Sequence, residues 1–237
     1  MGLMNDPSLC LEEEGFKSFD FVLGADEVGR GCVAGPAYVG VCRLDYLPSS
    51  FPEGVKDSKL LTPKRRAKLR GAIEEWVSDW AVGSCSNEEI DKMGITLSLG
   101  LALERALLSM KEISGRGLLI LDGNFDYLSY ARASLHLPQR PDVEVKCVIK
   151  GDRKSALCAS ASILAKLDRD ELMENLSKLD EYKGYKWKKN KGYPTSEHIE
   201  AIKKMGLSPL HRKTWKLKGL ENSASQSALP LSYGPRS

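Results

Sequence analysis

Four acidic residues stand where apolar runs stop. FVLGA at 21–25 leads into Asp26 and Glu27, GLLIL at 117–121 into Asp122, and VEVKCVIKG at 143–151 into Asp152. An acid directly after an apolar run is poorly placed for a solvated face and well placed at the edge of a sheet. Several such strand ends, gathered in one twisted sheet, would converge their carboxylates on a single patch. Mutually repelling carboxylates make sense together chiefly around a divalent cation, and hard oxygen donors with water filling the remaining positions suit Mg²⁺ or Mn²⁺. Taken singly, each aspartate has a structural explanation, because Asp makes turns and caps helices, and Asp122-Gly123-Asn124 is an ordinary turn sequence. The coincidence of three strand ends and an adjacent acid pair is what points to a metal site.

Other residues bear on chemistry more weakly. Gly29-Arg30-Gly31 follows the first acid pair, where glycines let the backbone approach a ligand and Arg30 can meet a phosphate. The tripeptide is neither a G-x-G-x-x-G fingerprint nor a P-loop, so a nucleotide cofactor is unsupported. In KGYKWKKNKGY at 183–193, Tyr185, Trp187 and Tyr193 are interleaved among five lysines. Lysines neutralise phosphates and aromatic rings stack on sugars or bases, although a solvated loop anchored by its aromatics reads the same way. The six cysteines contain no C-x-x-C pair and the three histidines are spread out, so zinc-ligand spacing is absent. His198 and His211 read as structural histidines or weak phosphate contacts.

The elements that must position these residues alternate between strand and helix. Strands are expected at Phe21–Ala25, Ala37–Leu44, Val77–Ser84, Gly117–Leu121 and Val143–Ile149. Thr62 followed by Pro63 starts a helix through KRRAKLRGAIEEW, since Thr caps free amides and Pro fits the first turn. Further helices are expected over Thr96–Ile113, Lys154–Leu179 and Ser196–Met205. This order describes a mixed α/β domain. Of 237 residues, 42% are hydrophobic and 28% charged, which supports a sizeable core and excludes a disordered chain or a disulfide-dependent mini-fold. No apolar stretch is long enough to cross a bilayer, and the N-terminus lacks the basic start and apolar run of a signal peptide, so a cytoplasmic protein with no membrane association is expected. Net charge is only +3, yet residues 183–218 carry eleven cations against two acids, +9 for that segment and −6 for the rest. That asymmetry points to a polyanionic partner.

At larger scale, GADEVGRGCVAGP at 24–36 resembles the opening signature of bacterial ribonuclease HII, the type 2 ribonuclease H. DSKLLTPKRRAKL at 57–69, LDGN at 121–124, KGDRKSALCASASILAKLDRD at 150–170, KGYPTSEHIEAI at 191–202 and GLSPLHRKTW at 206–215 resemble further blocks of the family. They occur in the family's order and cover about residues 20 to 216. Departures are modest: Val28 stands where the family often has Ala, and LDRD replaces the commoner VTRD. The intact Gly-Arg-Gly favours ribonuclease HII over its sister ribonuclease HIII.

The resemblance implies a ribonuclease H-like fold, a mixed central sheet flanked by helices with a helical C-terminal region. It divides the chain into an N-terminal extension (1–19), a catalytic domain with its basic helical end (20–219) and a disordered tail (220–237). It implies hydrolysis of the RNA strand of RNA–DNA hybrids and nicking 5′ of single ribonucleotides in duplex DNA, leaving 3′-hydroxyl and 5′-phosphate ends. The family's four-acid site carries over to Asp26, Glu27, Asp122 and Asp152, holding two Mn²⁺ or Mg²⁺ ions with substrate bound. Gly29, Arg30 and Gly31 would read the 2′-hydroxyl, Tyr193 would stack on the sugar, and Lys59 and Lys166 would contact phosphates. A monomer is expected, with a clamp-type partner for the tail left open. A non-catalytic duplex-binding protein and a general Mg²⁺-dependent nuclease are the competing readings.

Overall fold

The computed structural model describes residues 6–112 and 114–217. Five strands form one sheet: β1 (Phe21–Val28), β2 (Ala37–Leu44), β3 (Asp79–Cys85), β4 (Gly117–Asp122) and β5 (Val143–Val148). The helices are α1 (Cys10–Gly15), α2 (Pro63–Trp76), α3 (Asn87–Met93), α4 (Ile95–Ser109), α5 (Tyr127–Leu135), α6 (Ala156–Leu176), α7 (Trp187–Asn190) and α8 (Ser196–Met205). The strand order is β3-β2-β1-β4-β5, with β1 antiparallel to β2 and parallel to β4, so the sheet is mixed. Among the described residues no helix is long and apolar enough to cross a membrane. The expectations for residues 220–237 lie outside the described residues.

Alternation along β1 sorts its side chains onto two faces. Phe21, Leu23 and Ala25 pack with Leu99 and Leu103 of α4 and Leu128 of α5. Val22 faces the other way and packs with Leu157 and Ile163 of α6 and Ile73 of α2. A third apolar cluster joins Val33 and Ala34 to Met173, Tyr185, Trp187 and Ile202, fastening the C-terminal helices to the loop after β1.

Three elements differ from the sequence expectation, each for an identifiable reason. The first strand continues past Ala25 to Val28 because β2 keeps pairing with it as far as Val28–Tyr38, whereas its parallel pairing with β4 stops at Ala25–Leu121. Asp26 and Glu27 therefore lie inside β1, where one neighbour has ended and the other has not. Asp152 is not at a strand end: β5 closes at Val148, and Asp152 sits in a 3₁₀ turn, Gly151–Arg153, entered through Lys150 in the left-handed conformation. The helix expected to reach Ile113 stops at Ser109, and the Lys111 amide donates to Asp79 Oδ2 at 2.7 Å instead. The described residues before 20 dock on the body. Glu12 is buried and its Oε1 accepts from Ser155 Oγ at 2.6 Å and from the Leu157 amide at 3.0 Å, satisfying the start of α6.

Close packing of α6 on the sheet depends on Gly24. A Cβ there would lie 2.4 Å from Leu157 Cβ and 2.5 Å from the Cys158 amide nitrogen. Gly71 on α2 is the opposite case, with nothing within 4 Å of an added Cβ. Gly24→Ala is expected to cost about 2–3 kcal/mol by overpacking and to lower Tm by roughly 5–10 °C, whereas Gly71→Ala should raise stability by ~0.5–1 kcal/mol. Thermal unfolding followed by circular dichroism checks both signs.

Candidate active site

Asp26 and Asp122 lie at the carboxyl ends of neighbouring parallel strands, and alternation points both toward α6, the face that Val22 and Ile120 share. The turn leading into α6 brings Asp152 to the same place. Each of these three aspartates offers a carboxylate oxygen, and the three oxygens lie within 4.8 Å of one another. The Gly151 amide donates to Asp122 Oδ1 at 2.5 Å, which fixes the Asp152 turn onto the end of β4. Ser162 of α6 neighbours Asp26, where its hydroxyl works against the rise in the Asp26 pKa, and its Oγ lies 2.8 Å from Ser58 Oγ. Behind Asp152 stands a further buried carboxylate, Asp57, which accepts from Arg153 Nη2 at 3.0 Å and from the Lys59 amide at 2.9 Å. Asp57 lies in the DSK block but was missed in the sequence, where only Lys59 drew attention.

Glu27 is outside the triangle, because adjacent residues of a strand point to opposite faces. Its Oε1 accepts from Arg30 Nη1 at 3.2 Å, and its Oε2 is buried without a hydrogen-bond partner among the described residues. The Tyr127 hydroxyl, at the start of α5 and close enough to feel the charge of Glu27, is likewise buried and unpartnered.

The electrostatics follow from this crowding. Burial and the charges of Glu27, Asp122 and Asp152 hold the Asp26 carboxyl well above the usual range. Burial raises Glu27 too, with Arg30 working against it. Asp152 is pushed up to about 6 by burial and by the charges of Asp57 and Asp122. Burial alone would lower Lys59, but Asp26, Asp152, Asp57 and Asp122 outweigh it and raise its pKa. A set of hard oxygen donors whose ionised forms repel one another, with one carboxylate oxygen buried and unpartnered, fits divalent cations bound by Asp26, Asp122, Asp152 and Glu27.

The Gly-Arg-Gly loop is held from below by Arg212, and the segment that follows it by Arg169, two arginines that the sequence did not single out. Arg212, 1% exposed, donates to the carbonyls of Gly29 (2.7 Å), Arg30 (2.9 Å) and Gly35 (3.1 Å). Arg169, also fully buried, donates to the carbonyls of Ala34, Pro36 and Lys191. Gly29 has φ +84°, and a Cβ there would lie 2.2 Å from Arg169 Nε. The amide of Val33 donates to the Gly192 carbonyl at 2.8 Å, which places Tyr193 beside this loop. Tyr193 is partly buried, lies near the Cys32 thiol, and has Lys166 Nζ 6.0 Å from its ring centre. Lys166 is also paired with Asp170.

The aromatic and histidine expectations resolve toward structure. Tyr185 and Trp187 are buried and stacked on each other, 5.2 Å between centres, so neither offers a face to a base. The Ser208 amide donates to His211 Nδ1 at 2.9 Å, which leaves the His211 proton on Nε2, directed at His198 Nε2 3.1 Å away. His198 then carries its proton on Nδ1 and donates to the Tyr193 carbonyl at 2.9 Å, while Trp187 Nε1 donates to His198 Nε2 at 3.0 Å. Burial lowers both pKa values, His211 to about 4, so both rings are neutral at pH 7 and fully engaged.

A carboxyl whose folded pKa is raised favours the folded state while protonated and loses that contribution as pH climbs through the folded value. In chelator-treated protein, Asp152→Asn should therefore match wild type near pH 4, roughly the unfolded carboxyl pKa. Above that pH it should become progressively more stable than wild type, the margin reaching on the order of 1–3 kcal/mol just above pH 6 and staying constant beyond. Thermal melts of both proteins across that range measure the difference.

Comparison with known proteins accords with this geometry. The family described as Ribonuclease HII matches residues 23–218. Ribonuclease HII of Parabacteroides distasonis is 43% identical over 195 residues, 82% of this chain and 89% of that protein. Ribonuclease HII of Ruegeria sp. (strain TM1040) is 39% identical over 216 residues, covering 91% of this chain and 86% of the relative. The crystal structure of the ribonuclease H2 from Pyrococcus horikoshii OT3 is similar with a TM-score of 0.63 at 28% identity, spanning 83% of this chain and 94% of that one. With a family match over residues 23–218 and relatives 43% and 39% identical over most of its length, the chain belongs to the ribonuclease HII family.

Proposed function

We propose that this ribonuclease H, an endonuclease acting on RNA–DNA hybrids, also nicks duplex DNA on the 5′ side of a single embedded ribonucleotide. The observation that carries the reading is the convergence of Asp26, Asp122 and Asp152 beside a Gly-Arg-Gly loop pinned with its carbonyls inward. In hydrolysis on that side, water attacks phosphorus and the bond to the upstream 3′-oxygen breaks, leaving a 3′-hydroxyl and a 5′-phosphate. The ribonucleotide's own 2′-hydroxyl neighbours the next phosphate along the strand, so it serves recognition and does not act as the nucleophile.

In this reading Asp26, Glu27, Asp122 and Asp152 hold divalent cations, Mg²⁺ or Mn²⁺. Such cations, when bound, supply charge neutralisation at the scissile phosphate and activation of the attacking water. The remaining roles belong to the chain. The Gly29–Gly31 backbone meets the 2′-hydroxyl, the group that separates RNA from DNA at one site. Tyr193, with Lys166 over its ring, supports the sugar, and Lys59, close to the carboxylates, meets a flanking phosphate. The two buried, neutral histidines take no part in proton transfer. Lysines of the C-terminal region track the duplex backbone, although Lys183, Lys189, Lys191 and Lys203 are already paired with Asp180, Glu197, Glu174 and Glu200.

The test is cleavage of three labelled duplexes: one with a lone ribonucleotide, one all-DNA and one RNA–DNA hybrid, each with Mg²⁺, Mn²⁺ or chelator. The expected result is metal-dependent nicking 5′ to the ribonucleotide, none on all-DNA, and a loss of about 10³-fold in Asp122→Asn. Hybrid cleavage without nicking at the lone ribonucleotide would contradict the finer proposal. Cleavage of the all-DNA duplex would make the loop incidental.

A further inference from the structure

Arg212 spends its guanidinium on main chain alone. Its Nη2 donates to Gly29 O at 2.7 Å and Gly35 O at 3.1 Å, its Nη1 to Arg30 O at 2.9 Å, and its Nε to Gly35 O at 3.2 Å. No carboxylate forms an ion pair with it among the described residues; the face of Trp215 lies against it, 4.8 Å from ring centre to guanidinium carbon. A planar trans peptide directs its C=O and N–H to opposite sides. By drawing the carbonyls of Gly29 and Arg30 inward, Arg212 turns the N–H groups of Arg30 and Gly31 outward. No acceptor among the described residues engages either N–H, and both residues are exposed. Two adjacent donors thus face solvent next to Glu27 and the carboxylate cluster, set up to meet an oxygen of the substrate.

We propose that Arg212 is a positioning residue for ribonucleotide specificity: it orients the Arg30 and Gly31 amides that meet the 2′-hydroxyl. The inference rests on the reading that this loop recognises that hydroxyl. Lysine cannot replace the arginine, because a single ammonium lacks the rigid fork that reaches three carbonyls at once. Arg169 supplies a matched control. It is as deeply buried and as fully bonded to main chain, but its acceptors are Ala34, Pro36 and Lys191, not Gly29 or Arg30.

The experiment compares Arg212→Lys, Arg169→Lys and Gly31→Ala in the full chain. It measures kcat/KM on the single-ribonucleotide duplex, Kd for the all-DNA duplex by fluorescence anisotropy, and Tm. Gly31 is free to accept a methyl group, with nothing within 4 Å of an added Cβ, so its variant reports on substrate approach and not on folding. Arg212→Lys should lose about 10²-fold in kcat/KM, the scale of a misplaced contact, while all-DNA affinity is retained. Arg169→Lys should lose far less at a comparable drop in Tm. Equal losses in the two arginine variants, or losses that merely follow Tm, would overturn the proposal and leave Arg212 a structural residue. If Gly31→Ala is impaired and Arg212→Lys is not, this inference fails while the loop's role stands. If neither is impaired, the loop does not read the ribonucleotide at all. Should Arg212→Lys fail to fold, Trp215→Leu keeps the guanidinium but removes the ring against it. A partial loss of kcat/KM at unchanged all-DNA affinity supports the proposal in that variant, and full activity opposes it.

Discussion

Repulsion among carboxylates at the ends of β1 and β4 is the constraint to which the rest of the structure answers. Carboxylate oxygens of three aspartates lie within 4.8 Å of one another, and burial together with neighbouring negative charge raises the pKa of Asp26 and of Asp152. Left alone, the metal-free cluster favours moving apart. The packing prevents it: α6 is seated on β1 through Gly24, and the Gly151 amide ties the Asp152 turn to Asp122. Stability supplied by the two cores is thus used to keep an electrostatically unfavourable arrangement in place, a pattern expected where function needs a preorganised site.

The loop beside the acids is held on a different principle. Its backbone carbonyls are gathered by two buried guanidinium groups, and the aromatic–histidine network of the C-terminal helices fixes the neighbouring Tyr193 backbone. The helical C-terminal region therefore has two surfaces with separate tasks. Most of its described lysines are exposed, while Arg212, His198 and His211 face inward, and Arg212 sets the geometry of a loop contributed by residues 182 and 183 positions earlier in the chain.

Much of this was legible in the residues. The strand Ala37–Leu44, the helix started by Thr62 and Pro63, and the helix Ser196–Met205 fall where the sequence places them. The convergence of Asp26, Asp122 and Asp152 was readable from apolar runs ending in acids, even though Asp152 arrives by a turn and not by a strand. Other features left weaker marks. The capping box of α3, Ser86 with Glu89, was present in the sequence and passed over, as was the Asp126 cap of α5. Glu27 stands outside the triangle because register decides which face a side chain takes, and the register came from how far β2 extends beside β1. The buried roles of Arg169 and Arg212 had no local signature at all. An arginine in a basic stretch looks solvated until the carbonyls that surround it, from distant segments, are known.

The central claim is that the fold holds carboxylates in a state that protons or divalent cations relieve. Calorimetric titration of the chelator-treated protein with Mn²⁺, at pH 6 and pH 7.5 in buffers of differing ionisation enthalpy, tests it most directly. The account predicts saturable binding accompanied by proton release near pH 6, where Asp152 titrates at about that value, and loss of binding in Asp26→Asn. Binding that releases no protons at pH 6, or that survives unchanged in Asp26→Asn, would contradict it.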